Sequence, residues 1–331
     1  VISFDRQTRY MLHRRVPTIR TENAPVTLPL RPLDRRGILL ILAFCLSLGI
    51  NQVIVKLALP EIAPLVQAAL RSAGGTIILG LFALAADRDF LKKDGTFWPG
   101  IAVGAVFAVE FILLYLGLQL TSASHAVLFL YTAPFFVAVG LIILFPQERL
   151  RTLQWAGLIL AFIGVACALG SSWWGPSAVD RTVLVGDLLC LVGGALWAGT
   201  TLIVKATKLR SASSLKVLLY QLAVSAVVIA AAAVAHNEPW PHHLSPIAIA
   251  SMIYQTIWIV CISFLTWFWL LRRYRAGELS AFTFLTPVIG VFAGWLWLGE
   301  ALSVGFVLAL CLVAVGIVLV NWQPRADAKK G

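Results

Sequence analysis

Arg71 and Glu110 stand inside long apolar runs, where charge is costly. Placing one charged side chain in a bilayer costs roughly 2.5–3.5 kcal/mol on insertion scales, so each needs a partner or a wet cavity. Arg71 falls about nine residues into its run, roughly 14 Å deep at 1.5 Å per residue. Glu110 falls about nine residues before the end of the next run, at a matching depth. The two are expected to face one interior space and to pair there. An ion pair that only ties two helices is one reading. In the other, Arg71 attracts a substrate carboxylate and Glu110 accepts a proton or an ammonium group.

Other polar groups extend this set. Asn51 and Gln52 are amides inside the first run, with Lys56 near its outer end. Such groups either bond neighbouring helices or line a path. Lys205 near the end of a later run reads as a snorkelling side chain. Tyr115, Tyr131, Trp197, Tyr220, Tyr254 and Trp258 lie well inside apolar runs and are expected to line a pocket for a flat or amphipathic solute. His125 opens the fourth run as a mouth residue. Pro134 and Pro287 each remove a backbone hydrogen bond and are the gating candidates. Gly74-Gly75 and Gly193-Gly194 allow close helix approach.

The elements that carry these residues follow from composition. Hydrophobic residues make up 60% of the 331 and charged residues 12%, with a mean hydropathy of +0.89. A soluble domain carries roughly twice that charge. Ten apolar segments fit the length of a bilayer span: 37–59, 62–86, 97–119, 122–145, 153–172, 184–206, 213–235, 247–271, 277–298 and 302–322. The fold class is therefore all-α, a polytopic membrane protein.

Charge gives the orientation. With the N-terminus inside, 23 of the 26 basic residues fall on the inner side and only Arg181 in an outer loop. Both termini are then cytoplasmic: a basic tail over 1–36, expected to be disordered, and a short tail over 323–331. Val1 suggests an upstream or non-standard start, with Met11 a candidate. Trp98, Trp155 and Trp322 fall at inner span ends; Trp173, Trp174, Trp240, Trp295 and Trp297 fall near outer ends, as interfacial belts do. The five cysteines lie in apolar stretches and read as small core residues, not as a disulfide or metal set.

An internal repeat fits this frame. Gly37, Leu39, Leu40, Leu42, Ile54, Val55 and Lys56 match Gly186, Leu188, Leu189, Leu191, Ile203, Val204 and Lys205 without a gap. Tyr131-Thr132-Ala133-Pro134 resembles Phe284-Leu285-Thr286-Pro287. Glu148 and Leu150 then match Glu300 and Leu302. Five spans is an odd number, so the second copy (184–322) enters the membrane from the side opposite to the first (37–172). That is the inverted-repeat plan of many secondary transporters.

These features resemble the drug/metabolite transporter superfamily, in its EamA-like ten-helix group. The resemblance rests on Asn51 to Lys56 followed by Pro60, Pro64 and Leu70-Arg71; on Thr121-Ser122-Ala123-Ser124 ahead of Pro134; on Glu148-Arg149-Leu150; and on Gly299-Glu300-Ala301-Leu302. Pro146-Gln147 departs from the Gly usual before the first Glu. The resemblance implies export across a bacterial inner membrane of amino acids, other metabolites, nucleotide-like compounds or drugs; the residues leave monomer and homodimer both open. Amino acids are the first expectation, from Arg71, Glu110 and the aromatics, with proton coupling through Glu110 one option. No Walker A pattern, HExxH motif, Cys/His cluster or GxSxG motif is present. No cofactor, metal or nucleic acid is expected, and neither catalytic residues nor enzyme activity. An intramembrane enzyme using Glu110 and His125, or a channel, are the alternatives from other classes.

Overall fold

In a computed structural model of the chain, residues 33–86, 94–144, 152–173, 181–274, 279, 282–283 and 285–321 are described. The expectations for residues 1–32, Glu148-Arg149-Leu150, Trp174, Trp322 and the C-terminal tail lie outside them. The described segments give one helical unit for each apolar run. They are α1 (Arg35–Ala58), α2 (Pro64–Ala86), α3 (Phe97–Leu120), α4 (Ala123–Leu144), α5 (Thr152–Trp173), α6 (Arg181–Ala206), α7 (Ser214–Ala235), α8 (Pro246–Ile253, Tyr254–Ser263 and Phe264–Arg273 in continuity), α9 (Leu285–Leu298) and α10 (Val304–Asn321). Seven are long and apolar enough to cross a membrane, and three shorter apolar stretches lie in α5, α9 and α10. The molecule is an all-α polytopic membrane protein.

Local signals start the helices where the apolar runs start. Asp34 accepts from the Gly37 amide at 2.7 Å, Ser122 from His125 at 3.0 Å and Ser213 from Lys216 at 3.2 Å. Each satisfies a first-turn N–H that has no partner inside its helix. Ser245 does the same for α8, followed by Pro246 at the first helical position.

Contacts between helix ends fix the directions. At one face Tyr274, after α8, donates to Asp34, before α1, at 2.8 Å. Lys216 of α7 donates to Asp94, ahead of α3, at 2.8 Å. Lys216 and the Thr96 donors hold the Asp94 carboxyl well below its ordinary range, and the Gly37 amide lowers that of Asp34. With Arg35, Arg36, Lys205, Lys208, Arg210 and Arg273, this is the basic face. At the opposite, acidic face the end of α1 meets the end of α3 and the start of α6, since Lys56 donates to the Thr121 carbonyl and the Thr121 hydroxyl to Asp187. The matched helices α1 and α6 therefore run in opposite directions.

Packing follows the same five-span relation. Helix α2 packs on α7, α4 on α9 and α5 on α10, each on its own counterpart. The pairs α1·α9 and α6·α4 correspond, as do α3·α6 with α8·α1, and α3·α7 with α8·α2.

Two helices are irregular. Pro134 has no N–H, and α4 breaks at Tyr131-Thr132 just before it. The Thr132 hydroxyl turns back onto the Phe129 carbonyl at 2.5 Å. In α8, residues Tyr254–Ser263 wind as a π-helix. Such wide turns are rare and often sit at functional sites. Their apolar spacing is close to that of an α-helix, so the sequence carries no signal for them.

Glycines seat these irregular parts. A methyl at Gly74 or Gly75 would lie 2.7 Å from Thr256 or 2.6 Å from Val260, both on the π-helical turns. One at Gly194 would lie 2.8 and 2.9 Å from the Phe129 and Leu130 carbonyls, at the α4 break. Backbone cannot yield as a side-chain tip can. At Gly193 the nearest atom is 3.6 Å away, an ordinary contact. Gly194→Ala is therefore expected to destabilise the protein by about 1–3 kcal/mol, and Gly193→Ala to leave it nearly unchanged. Thermal unfolding of the two variants in detergent checks this.

Among the cysteines, Cys45, Cys190 and Cys261 are buried as expected, but Cys167 and Cys311 are exposed. They sit on outward sides of α5 and α10, where a small apolar thiol suits a lipid-facing surface as well as a core. Trp98, Trp155, Trp240, Trp295 and Trp297 are also exposed.

Candidate functional site

Two polar assemblies are present, one deep and one at the acidic face. The deep one lies where α2, α3 and α8 meet. Arg71 and Glu110 are each only 3% exposed. The Arg71 guanidinium lies over the Phe111 ring at 4.3 Å, a contact that stabilises a cation by up to ~2 kcal/mol when desolvated. Glu110 and Tyr115 lie within electrostatic reach of it. Nε and Nη1 of Arg71 and Oε2 of Glu110 are buried without a hydrogen-bond partner. Among the described residues no ion pair joins Arg71 to Glu110. They share an interior region, as their depths predict, without the direct contact expected of them. Aim, not depth, makes the difference: Arg71 turns its charge over an aromatic face.

Further unpartnered atoms lie elsewhere in the interior. Ser72 Oγ and Gln67 Oε1 on α2 are buried and unpaired, as are Asn51 Oδ1, Gln52 Oε1 and Thr286 Oγ1 on α1 and α9. Buried polar groups in proteins are nearly always paired with protein or ordered water. The open atoms of Arg71, Ser72 and Glu110 mark a place for a polar guest.

The expected aromatic pocket is divided among several places. Tyr115 donates to Gln255 at 2.7 Å beside the charged pair. Tyr131 stands edge-on to Trp197, 5.5 Å between centroids, at the α4 break. Tyr254 and Trp258 both bond Ser47 on α1, to its carbonyl and its hydroxyl, and Trp258 is half exposed. Tyr220 lies near the basic face, 3.3 Å from Thr96. Depth along a helix was legible for each; the rotation that points it toward or away from its neighbours was not. Lys205 is exposed at the end of α6, as a snorkelling residue would be. Pro134 stands at the α4 break, and Pro287 lies in the first turn of α9.

The acidic-face assembly was largely missed in the sequence. Glu300, between α9 and α10, reaches the first turn of α4. It accepts from the Ala123 amide at 2.6 Å, the Ser124 amide at 2.9 Å and the Ser124 hydroxyl at 2.5 Å. A carboxylate at a helix N-terminus is also favoured by the helix dipole. Lys56 Nζ stands 4.0 Å from Glu300. His125 is a partnered residue, not a free one: Nδ1 lies 3.0 Å from Asp187, and its ring stacks on Phe306 at 4.6 Å. Asp187 is fully buried. It stands six residues into α6 in an apolar run, and that lone acid was the signal available. Lys56, Gln119, Thr121, Ser122, His125 and Glu300 contribute to the lining of a cavity of about 480 Å³ here.

Carboxylates from opposite halves cap helices elsewhere on this face. Glu238, after α7, accepts from the Leu65 and Val66 amides of α2 at 2.9 and 3.0 Å. Glu61, before α2, accepts from the Ser245 amide and hydroxyl ahead of α8, both at 2.6 Å. Those bonds hold the Glu61 carboxyl below its usual range. Among the described residues, no group of three or more His, Cys, Asp and Glu is placed to hold a metal ion.

The chain has counterparts among known proteins. The model of the EamA-like transporter family matches residues 35–170 and again residues 184–322. The chain belongs to this family. It is a multi-pass membrane transporter of the EamA type, acting on small molecules across a lipid bilayer. The uncharacterized transporter YvbV of Bacillus subtilis (strain 168) is 27% identical over 90% of this EamA-like chain and 96% of its own length. The probable amino-acid metabolite efflux pump of Escherichia coli (strain K12) is 25% identical over 88% and 98%. A crystal structure at 18% identity superposes with a TM-score of 0.61 over 89% of this chain and 99% of that one, which shows a common fold.

Proposed function

We propose that this chain is a secondary exporter of small zwitterionic metabolites, with amino acids the first class to try. In this reading, residues 37–172 and 184–322 form two halves that exchange inward-open and outward-open arrangements around Arg71 and Glu110. The observation that carries it is the pair of buried, oppositely charged groups with unpartnered donor and acceptor atoms. A solute with a carboxylate for Arg71 and an ammonium for Glu110 would satisfy both. The efflux pump among its relatives supports the amino-acid class.

Glu110 also serves as the proton site in this reading. A buried carboxylate can carry either a proton or the balancing charge of an ammonium, which makes the two exclusive and couples their movements. The basic face is cytoplasmic, in keeping with the bias of Lys and Arg, and both termini lie there. The membrane is the bacterial inner membrane. Glu300 on the α4 N-terminus, backed by Lys56, closes the outer side.

The test is exchange in liposomes. Purified protein should exchange an internal amino acid for a labelled external one, and an imposed pH gradient should drive accumulation. If no member of a broad metabolite panel moves while the protein is folded, the substrate class is wrong.

A further inference from the structure

The deep assembly contains a chain of hydrogen bonds whose direction is fixed from one end. The carbonyl of Ile54 on α1 can only accept, and the Ser251 hydroxyl donates to it at 2.7 Å. Ser251 has a single proton. Its oxygen must therefore accept from its next partner, Gln255, at 2.9 Å. That places the Gln255 amide nitrogen toward Ser251 and its carbonyl oxygen toward Tyr115. Tyr115 must then donate, at 2.7 Å. A flipped Gln255 would set its carbonyl oxygen against the Ser251 oxygen, two acceptors with no proton between them, so the Ser251 joint decides the orientation. All three side chains are nearly or wholly buried, so water does not readily substitute for any link.

We infer that Gln255 fixes the polarity of Tyr115, so that the phenol oxygen meets the solute beside Arg71 only as an acceptor and selects a hydrogen-bond donor on it. The inference rests on the proposed role of the Arg71–Glu110 region and narrows it. Glu110 and Tyr115 then act as two acceptors and Arg71 as the donor. A solute keeping its carboxylate but lacking its amino group leaves both acceptors unmet. Gln255 is a positioning residue here, acting through Tyr115. The π-helical winding of α8 begins at Tyr254 and carries Gln255, so this local geometry holds the amide in register with both Ser251 and Tyr115.

Two readouts test it. In resonance Raman difference spectra of the full-length protein against Tyr115→Phe, the Tyr115 ring doublet should have the form of a phenol that donates. Gln255→Leu should shift it toward that of an acceptor or a free phenol. Gln255→Glu, whose protonated carboxyl reproduces the amide's donor and acceptor, should keep it. In liposomes, Gln255→Leu should shrink the preference for an amino acid over its deaminated analogue by about tenfold or more, the worth of one buried hydrogen bond. Gln255→Glu should hold it within about threefold. Gln255→Met serves equally if the leucine variant folds poorly. The inference is overturned if the Tyr115 doublet is the same in wild type and Gln255→Leu, or if Gln255→Leu slows both solutes equally. If Arg71→Leu and Glu110→Gln transport normally, the charged-site reading fails instead, and the Raman arm still decides the role of Gln255.

Discussion

Arg71→Leu is expected to abolish measurable solute binding, and Glu110→Gln to weaken binding while leaving a residual exchange that no longer responds to a pH gradient. The first effect is large because the change removes the only cation among the described residues of this deep assembly. Losing one member of a buried, hydrogen-bonding charge pair costs about 2–5 kcal/mol, or roughly thirtyfold to several thousandfold in affinity. Glu110→Gln keeps the shape and an acceptor oxygen but cannot lose a proton. Each single change also strands the opposite charge in an apolar setting. The double variant should therefore unfold at a higher temperature than Arg71→Leu alone, although it transports nothing. Binding by isothermal titration, exchange in liposomes and thermal unfolding separate these outcomes. Proton-driven accumulation persisting in Glu110→Gln would place the coupling site elsewhere.

Glu300→Ala is the second large expectation. It leaves the Ala123 and Ser124 amides, the Ser124 hydroxyl and Lys56 without the carboxylate that they surround. A loss of about 2–4 kcal/mol follows if these groups stay buried, and less if water enters. A two-state equilibrium biased by that amount shifts by roughly thirtyfold or more. The outer mouth should open, and the first turn of α4 should exchange its amide hydrogens at least about tenfold faster. Glu300→Gln should fall between, since it can still accept but has no charge for the helix N-terminus or Lys56. Hydrogen–deuterium exchange over residues 121–130 measures this directly. Unchanged exchange in Glu300→Ala would mean that the carboxylate does not hold the mouth closed.

The architecture was largely legible in the residues because a bilayer imposes length and charge rules that each span must obey alone. The runs that became α1 to α10 could be bounded within a few positions, and loop charge separated the basic end of the bundle from the acidic one. The repeat was legible for a related reason: matched outward-facing positions such as Leu39 and Leu188, both exposed, are apolar in both halves, as a lipid-facing surface requires. The site was legible only in part. Arg71 and Glu110 declared themselves by being charged at the wrong depth. Asp187 did not, because a single acid near the start of a span resembles an interfacial residue until His125 is found beside it, 62 residues away in the chain. Glu300 looked like a loop residue and a repeat marker. Its partner, the α4 N-terminus, is 176 residues distant, and nothing local announces such a contact. The aromatics show the same limit: Tyr115 and Tyr220 share a residue type and a location within spans, yet only one reaches the charged pair.

Accessibility of the deep assembly from each side tests the central claim most directly. Ser72 adjoins Arg71, is fully buried and has an unpartnered hydroxyl, so Ser72→Cys is a mild probe. In a background lacking the five native cysteines, a charged thiol reagent should reach it from one face at a time. Adding the transported amino acid with a reversed gradient should move that access to the other face. Access from both faces at once would describe a channel, and access from neither under any condition would mean that the Arg71–Glu110 region is structural. Either result would contradict alternating access around these two charges.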